Sequence, residues 1–159
     1  MNKDFLTYQA QTTPHPLGLE VKKAKGSYIY TTDGKAHIDF VAGVSACSLG
    51  HCHPKVVEAI QKQTKNYLHV MVYGEYAQSP AVEYTKLLSE NITIPNAKTY
   101  LVNSVTEAIE GALKLARRYT GKKEIIAAHN AYHGNTMGSL SLMDFEERKK
   151  PFEPLLPEI

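Results

Sequence analysis

Two short polar segments of this sequence contain residue types that could bind a phosphate-bearing aromatic ligand. Residues 103–106 (Asn-Ser-Val-Thr) follow a β-branched and aromatic run and precede a predicted helix. Residues 129–134 (His-Asn-Ala-Tyr-His-Gly) follow a second apolar run. The start of a helix offers unpaired backbone N–H groups and a partial positive charge, which favour a phosphate. The first segment is therefore a candidate phosphate loop.

The side chains of these segments suggest how such a ligand could be held. The Ser104 or Thr106 hydroxyl could donate a hydrogen bond to the phosphate, together with backbone N–H groups. Tyr132 could lie flat on a heteroaromatic ring, because aromatic stacking adds about 1 kcal/mol beyond burial. Gly134, which has no side chain, would let the backbone approach the ligand closely. A half-buried loop tyrosine and an ordinary capped helix are the structural alternatives.

The elements that would position these segments follow one another as strand 99–102, helix 104–119 and strand 124–128. Two such strands joined by a crossover helix are expected to be parallel and right-handed. In sheets of this kind, ligands bind outside the carboxyl ends of the strands. Both polar segments are therefore predicted to face the same crevice.

The central helix has clear boundaries and one apolar face. Ser104 and Glu107 have the spacing of a capping box, and Gly121 is placed to end the helix. Glu110 and Lys114 are predicted to pair on the outer face. The apolar face comprises Ile109, Ala112, Leu113 and Ala116.

The first half of the chain contains a hairpin signal and two further helices. Residues 1–24 are predicted to be an extended arm with one short helix, and alternating residues 27–31 and 36–41 flank Asp33-Gly34, which predicts a β-hairpin. A small-residue loop leads to Pro54, which suits the first turn of an amphipathic helix. An apolar run, residues 70–76, contains Gly74. Ser79 opens a helix that ends near Asn91, with a predicted buried side of Tyr84, Leu87 and Leu88.

Composition excludes several classes of function. The 159 residues are 43% hydrophobic and 21% charged, with a net charge of +2, which does not favour nucleic acid or an acidic membrane surface. Two cysteines make no disulfide framework. No apolar run approaches the roughly 20 residues needed to span a bilayer. We expect a cytoplasmic protein.

Other chemistries fit the residues less well. His51, Cys52 and His53 are adjacent and His129 and His133 are four residues apart, but neither spacing matches a closed zinc site. Nothing fixes either cysteine beside a base, as a nucleophile would need. The sequence lacks both the P-loop and the dinucleotide-binding glycine patterns. No metal site is predicted.

The set of motifs resembles one enzyme family. Residues 103–108 with the following helix, and residues 131–134, resemble the class III (ω-amino-acid type) aminotransferases that use pyridoxal 5'-phosphate. The Asp33-Gly34 hairpin and residues 50–54 (Gly-His-Cys-His-Pro) are similar to the small-domain opening of that family. The resemblance extends, in order, from about residue 15 to about residue 150.

The resemblance implies an α/β fold of fold type I, the pyridoxal-phosphate-dependent transferase class. Residues 1–68 would form the N-terminal arm and small-domain segment, with hairpin and helix. Residues 69–159 would form the first part of the cofactor-binding large domain, with an incomplete doubly wound sheet. The implied activity is transfer of an amino group from an amine or amino acid to a 2-oxo acid, with a homodimer in the full-length protein.

Site residues are carried over from the family by position. Ser104, Val105 and Thr106 fall on the loop that holds the cofactor phosphate. Tyr132 falls on the residue that stacks on the pyridine ring, and His133 and Gly134 complete its turn.

Three departures from the family pattern affect this expectation. Val105 replaces a usual glycine, and its branched side chain would resist positive φ and close approach of the phosphate. Asn135 replaces an arginine that binds a substrate carboxylate in several subfamilies, so ornithine-like and 4-aminobutyrate-like substrates are not assigned. The family's Schiff-base lysine and the aspartate at the pyridine nitrogen have no counterpart here, so no catalytic residue is assigned.

We therefore expect the N-terminal part of a class III aminotransferase, truncated and inactive alone. The alternatives are a non-catalytic dimerisation or interaction fragment and an unrelated histidine metal-binding protein.

Overall fold

The computed structural model describes residues 2–71 and 74–159, and the chain divides into two compact units, Met1–Val72 and Tyr73–Ile159. Positions 72 and 73 of the predicted apolar run lie outside the described residues. Gly74 directly after them has a φ of 71°, a left-handed conformation that suits glycine.

The first unit is built on a small antiparallel sheet. It begins with helix α1 (Lys3–Tyr8), which Asn2 caps, and continues with strands β1 (Val21–Lys25), β2 (Tyr28–Thr31) and β3 (Ala36–Ile38) in the order β1-β2-β3. The predicted hairpin is confirmed as β2 and β3, whose register pairs Ile29 with His37.

Strand β1 lies in the segment that the sequence predicted as an extended arm. Its residues are mostly lysine, with no apolar alternation, so periodicity gives no strand signal. Pairing with β2 begins at Lys25 opposite Tyr28, across a tight turn in which Gly26 has a φ of 58°. The tight turn therefore brings β1 and β2 together, although β1 has no apolar face.

Strand β3 leads into a left-handed turn and then a helix. The turn α2 (Ala42–Ser45) has positive φ at all four residues, including 54° at Val44. Such a conformation costs about 1–2 kcal/mol per non-glycine residue. Helix α3 (Pro54–Thr64) then begins at the predicted proline.

Asp39 holds the start of this turn. Its Oδ1 accepts the N–H groups of Val41 and Ala42, each at 2.9 Å, and its Oδ2 lies 2.7 Å from His51 Nε2. The Asp39 side chain is only 7% exposed. The hydrogen bond from Ala42 and then that from His51 hold the pKa of Asp39 below its usual range.

The second unit is mainly helical. Helices α4 (Ser79–Asn91) and α5 (Val105–Thr120) are followed by α6 (Met137–Ser141), α7 (Glu146–Lys149) and a 3-10 turn, Lys150–Phe152. Both long helices begin and end close to the predicted residues. Gly121 ends α5 with a φ of 68°, and its N–H donates to the Arg117 carbonyl. The core lies between α5 and α6, where the buried residues are Leu113, Gly138, Ser139, Leu140, Ser141, Leu142 and Met143.

The two predicted parallel strands are not formed. Within the described part of the second unit, residues 99–102 and 124–128 belong to no sheet, and Ile126 is 93% exposed. The Ile125 N–H donates instead to the Glu158 carbonyl at 2.9 Å. Parallel strands need neighbouring strands on their edges and cover on both faces, and residues 2–71 and 74–159 supply neither to these segments.

The predicted buried side of α4 is also wrong for this chain. Tyr84 and Leu87 are exposed, and Leu88 is half-buried. On α5, Leu113 is buried and Ile109 half-buried, whereas Ala112 and Ala116 are exposed. An apolar stripe identifies a face that can be covered, but the covering element must come from elsewhere in a fold.

Replacing Asp39 by asparagine should destabilise the first unit in a pH-dependent way. The folded-state pKa of Asp39 is lowered, so its stabilising effect is present above the unfolded-state pKa of about 3.9 and is lost as the pH falls through the folded-state pKa. Asp39→Asn should therefore have a lower urea midpoint than the wild type at pH 7, and the difference should shrink below pH ~4.

The control is Glu58→Gln in α3, which also neutralises a carboxylate of the first unit, at an exposed residue outside the first turn of its helix. It should keep the wild-type midpoint at pH 7. Equal midpoints for Asp39→Asn and the wild type at pH 7 would contradict a stabilising role for this carboxylate.

Candidate active site

The candidate phosphate loop lies at the start of α5. Ser104 is its N-cap, and the Ser104 Oγ accepts the Glu107 N–H at 3.2 Å. The Glu107 carboxylate accepts the N–H of Asn103 at 2.7 Å, one residue earlier than a regular capping box would place it. Among the described residues, the backbone N–H groups of Val105 and Thr106 have no hydrogen-bond acceptor. Two donors at the positive end of a 16-residue helix are therefore available to an anion.

Val105 does not have the backbone conformation expected from the family pattern. It is the first residue of α5 and is absent from the positive-φ residues of the described chain. The backbone at this position therefore places no demand for positive φ on the branched side chain. Its side chain is 73% exposed at the helix start, so a steric effect on an approaching phosphate remains a prediction.

The two predicted polar segments do meet. A Cβ on Gly134 would lie 2.3 Å from Thr106 Oγ1 and 2.9 Å from Ser139 Oγ, and Gly134 has a φ of 130°. Glycine is required here because the Thr106 side chain packs against its Cα, as well as by its backbone conformation. The convergence predicted from two strand ends is present although the strands are not.

Tyr132 lies beside this contact with much of its side chain free. It is 53% exposed, and its hydroxyl donates to Asn135 Oδ1 at 3.3 Å. Its ring is thus accessible for stacking and is held at its polar end by a residue of the same loop. His133 is half-buried between Tyr132 and Gly134.

Asp144 fixes the other end of this loop. Its Oδ2 accepts the Asn130 N–H at 2.9 Å and lies 3.2 Å from His129 Nδ1. The hydrogen bond from Asn130 and then that from His129 hold the pKa of Asp144 below its usual range. The sequence reasoning missed Asp144, because a contact across 15 positions leaves no local signal.

Glu110 lies at this site instead of on the outer face. The predicted pair with Lys114 is wrong: Glu110 Oε1 accepts the hydroxyl of Thr136 and the N–H groups of Gly138, at 3.0 Å, and Ser139, at 3.3 Å. Thr106 and Glu110 are four residues apart, so both project from α5 towards α6. Thr136 and Ser139 were also missed, although their T-x-x-S spacing is that of a helix start.

The histidines of the first unit do not form a metal centre. His51 is bound to Asp39, while His53 is half-buried and its Nδ1 has no hydrogen-bond partner. Cys47 and Cys52 are free thiols. Across residues 2–71 and 74–159, no group of three or more His, Cys, Asp or Glu side chains is placed to hold a metal ion. No helix among these residues is long and apolar enough to cross a membrane.

Solved structures with the same fold are transaminases. The omega transaminase from Pseudomonas jessenii, in complex with PMP, superposes with a TM-score of 0.86 at 25% identity, covering 98% of this chain and 37% of the other. A 4-fold mutant of that enzyme gives a TM-score of 0.85 at 26% identity. These neighbours define the class as fold type I pyridoxal-phosphate-dependent transaminases, as predicted.

Sequence relatives specify the family within that class. The family model for "Aminotransferase class-III" matches residues 8–159, so the chain belongs to the class III aminotransferases, a family of pyridoxal-phosphate-dependent enzymes. Acetylornithine aminotransferase of Methanopyrus kandleri is 41% identical over 134 residues, covering 84% of this chain and 34% of the relative. A putative [LysW]-aminoadipate semialdehyde/glutamate semialdehyde transaminase of Pyrococcus abyssi is 42% identical over 140 residues, covering 87% and 37%. The chain thus spans about a third of the length of these relatives.

Replacing Gly134 by alanine should disrupt the contact between the two loops. The added Cβ would overlap Thr106 Oγ1, and the backbone has a positive φ, so the two costs together should lower the unfolding free energy by about 2–6 kcal/mol. The matched control is Gly121→Ala, where φ is 68° but nothing lies within 4 Å of the added Cβ. It should lose about 1 kcal/mol. Equal losses in urea unfolding would show that the Thr106 contact does not require glycine.

Proposed function

We propose that this chain forms the phosphate- and ring-binding part of an enzyme that transfers an amino group from an amine or amino acid to a 2-oxo acid. The observation that carries the proposal is the contact between Thr106 and Gly134, which joins the start of α5 to the Tyr132 loop. A phosphate site and an accessible aromatic ring then lie on adjoining segments. Membership in the class III family supports pyridoxal 5'-phosphate as the ligand that needs both.

The residues present fit the phosphate and ring of this cofactor. The Ser104 hydroxyl accepts one N–H and keeps its own proton to donate, and the N–H groups of Val105 and Thr106 have no acceptor in the part of the chain that the structure describes. Tyr132 offers a ring face for the pyridine, and His133 and Gly134 shape the turn behind it. When bound, the cofactor would supply the electron sink and the carrier for the amino group. The chain's own residues bind it and orient its ring.

The catalytic residues of the reaction are not assigned to this chain. No lysine here lies in the sequence context of the family's Schiff-base lysine, and no aspartate is matched to the pyridine nitrogen. We therefore propose that the 159 residues bind the cofactor but do not complete transamination by themselves.

The donor substrate is proposed only by class. The names of the curated relatives make N-acetylornithine the first amino donor to assay. Asn135, however, is uncharged and accepts a hydrogen bond from Tyr132. We propose that Asn135 orients Tyr132 rather than binding a substrate carboxylate, which an arginine would pair with in a bidentate manner.

A non-catalytic association role is the second candidate, because the chain exposes unusually large apolar faces. Its accessible surface is 13,719 Å², whereas two separate compact units of half its mass would together expose about 9,600 Å². The exposed apolar side chains include Val56, Val57, Ile60, Tyr84, Leu87, Leu115 and Ile126. We propose that a second copy covers part of this surface in a homodimer. The two free thiols support a cytoplasmic location.

Binding of pyridoxal 5'-phosphate tests the proposed function directly. In equilibrium dialysis the chain should bind the cofactor saturably and should bind pyridoxal, which lacks the phosphate, at least about tenfold more weakly. Borohydride reduction followed by intact mass should give no stoichiometric adduct on a single lysine, since no Schiff-base lysine is assigned.

Two other outcomes would change the conclusion. A single adduct mapped to one lysine would contradict the proposed inactivity of the chain. Absence of saturable cofactor binding, together with concentration-dependent association in sedimentation, would replace the cofactor-binding role by the second candidate.

Substitution of Val105 should tighten cofactor binding. Its exposed branched side chain stands at the start of α5, where the phosphate is proposed to approach two backbone N–H groups. Because its φ is not positive, Val105→Ala should lower the dissociation constant for pyridoxal phosphate nearly as much as Val105→Gly, by about 3- to 10-fold. Leu115→Ala, at an exposed site far along the same helix, is the control. Unchanged affinity in both Val105 variants would refute a steric effect.

A further inference from the structure

A cluster of polar groups lies directly behind the candidate phosphate loop. Thr106 Oγ1 is 2.6 Å from Ser139 Oγ and 3.0 Å from Thr136 Oγ1. The Thr136 N–H donates to Ser139 Oγ at 3.1 Å, and the Thr136 hydroxyl donates to Glu110. Ser139 is fully buried, with no exposed side-chain surface. The three hydroxyls and the carboxylate therefore form one connected network between α5 and α6.

Glu110 is the acceptor on which this network ends. A carboxylate has no proton to give, whereas Thr136 and the backbone N–H groups of Gly138 and Ser139 all direct donors at Glu110 Oε1. Hydrogen bonds to a charged acceptor are stronger than those between neutral groups. Removal of Glu110 would leave the N–H of the buried residue Gly138 without its acceptor and the Ser139 N–H with only the capping Thr136 side chain. An unpaired buried donor is costly.

The close approach is built into the sequence at a second glycine. A Cβ on Gly138 would lie 2.4 Å from Glu110 Oε2, just as a Cβ on Gly134 would lie 2.3 Å from Thr106 Oγ1. The two glycines thus lie opposite two side chains one helical turn apart on α5. The contact at Gly134, which also involves the Thr106 Cβ, fixes α5 against residues 134–139, whereas a Cβ on Gly138 would displace the flexible end of Glu110 from its hydrogen bonds.

The direction of the hydroxyl protons follows from the carboxylate. Because Thr136 gives its proton to Glu110, its Oγ1 is an acceptor for Thr106. The Ser139 hydroxyl donates to the Thr136 carbonyl oxygen at 3.2 Å, so its Oγ is a second acceptor for Thr106. In this arrangement the Thr106 proton can turn outward to an anion without leaving a buried donor unpaired, because only an acceptor on Thr136 or Ser139 loses its partner.

We propose that Glu110 is a positioning residue that acts through Thr136 and Ser139 to hold the start of α5, and with it the Thr106 hydroxyl, in the geometry that binds the cofactor phosphate. The inference rests on the proposed function. It assigns to Glu110 no contact with the cofactor. Tyr132 is held independently, by Asn135 and by the contacts of Asp144 at the other end of its loop.

The first test uses the chain without any ligand. Hydrogen–deuterium exchange at the Gly138 and Ser139 amides should be about tenfold or more faster in Glu110→Ala than in the wild type. Glu110→Gln should stay near the wild type, because the amide oxygen can still accept from the same three donors. Unchanged exchange in Glu110→Ala would overturn the proposal, since the bonds to Glu110 would then not hold this segment.

The second test separates the phosphate from the ring. Dissociation constants for pyridoxal phosphate and for pyridoxal are measured by equilibrium dialysis for the wild type, Glu110→Ala, Glu110→Gln and the control Glu83→Ala, an exposed glutamate of α4. Glu110→Ala should weaken pyridoxal phosphate binding about tenfold and change pyridoxal binding less than about twofold. The other two variants should keep the wild-type ratio.

The outcomes distinguish this inference from the proposed function. If Glu110→Ala weakens both ligands equally, or neither, the positioning role is overturned while the cofactor site stands. If the wild type binds no pyridoxal phosphate, the proposed function fails and the inference fails with it. Should Glu110→Ala not fold, Thr136→Val, which removes one hydroxyl of the network at nearly constant shape, should weaken pyridoxal phosphate alone by about threefold, and an unchanged ratio would overturn the proposal.

Discussion

The close approach of α5 to residues 134–139 is the contact on which the candidate site depends. Thr106 and Glu110, one helical turn apart, lie against the Cα atoms of Gly134 and Gly138. A Cβ on Gly134 would separate the helix from the turn, and one on Gly138 would displace the Glu110 carboxylate. This contact places the free N–H groups at the start of α5 near the Tyr132 loop, and it also encloses the buried residues of the second unit, Ser139 among them. The packing of α5 against residues 134–139 therefore also brings the residues of the candidate site together.

The first unit is held by local hydrogen bonds rather than by an apolar core. Thr31 is buried in the hairpin, where its hydroxyl donates to Asp33 at 2.5 Å, and Asp39 accepts two backbone N–H groups at the start of the left-handed turn. Helix α3 meanwhile exposes its valines and Ile60. These hydrogen bonds hold the turns of the first unit, while its exposed apolar faces are accessible to another protein surface.

Membership in the class III family and the departures from its pattern concern different parts of the site. The family match covers the start of α5, Tyr132 and Gly134, to which the proposed function assigns the cofactor. Val105 and Asn135, which depart from it, lie on the exposed side of that arrangement, where a ligand would approach. In the proposed function the departures would affect affinity and substrate choice, whereas the proposed positioning role of Glu110 concerns the geometry of the site itself.

The sequence by itself determined the features that depend on near neighbours: the hairpin at Asp33-Gly34, the start of α3 and the boundaries of α4 and α5. Capping residues, prolines and glycines act within a few positions, so a linear pattern records them. Tertiary structure decided the rest. The apolar runs 99–102 and 124–128 have the composition of strands but no neighbouring strand among the described residues. The helical pattern places Glu110 on the outer face of α5, whereas in the structure Glu110 accepts the Gly138 N–H of α6. Whether a segment pairs as a strand or becomes buried depends on segments far along the chain as well as on its own residues.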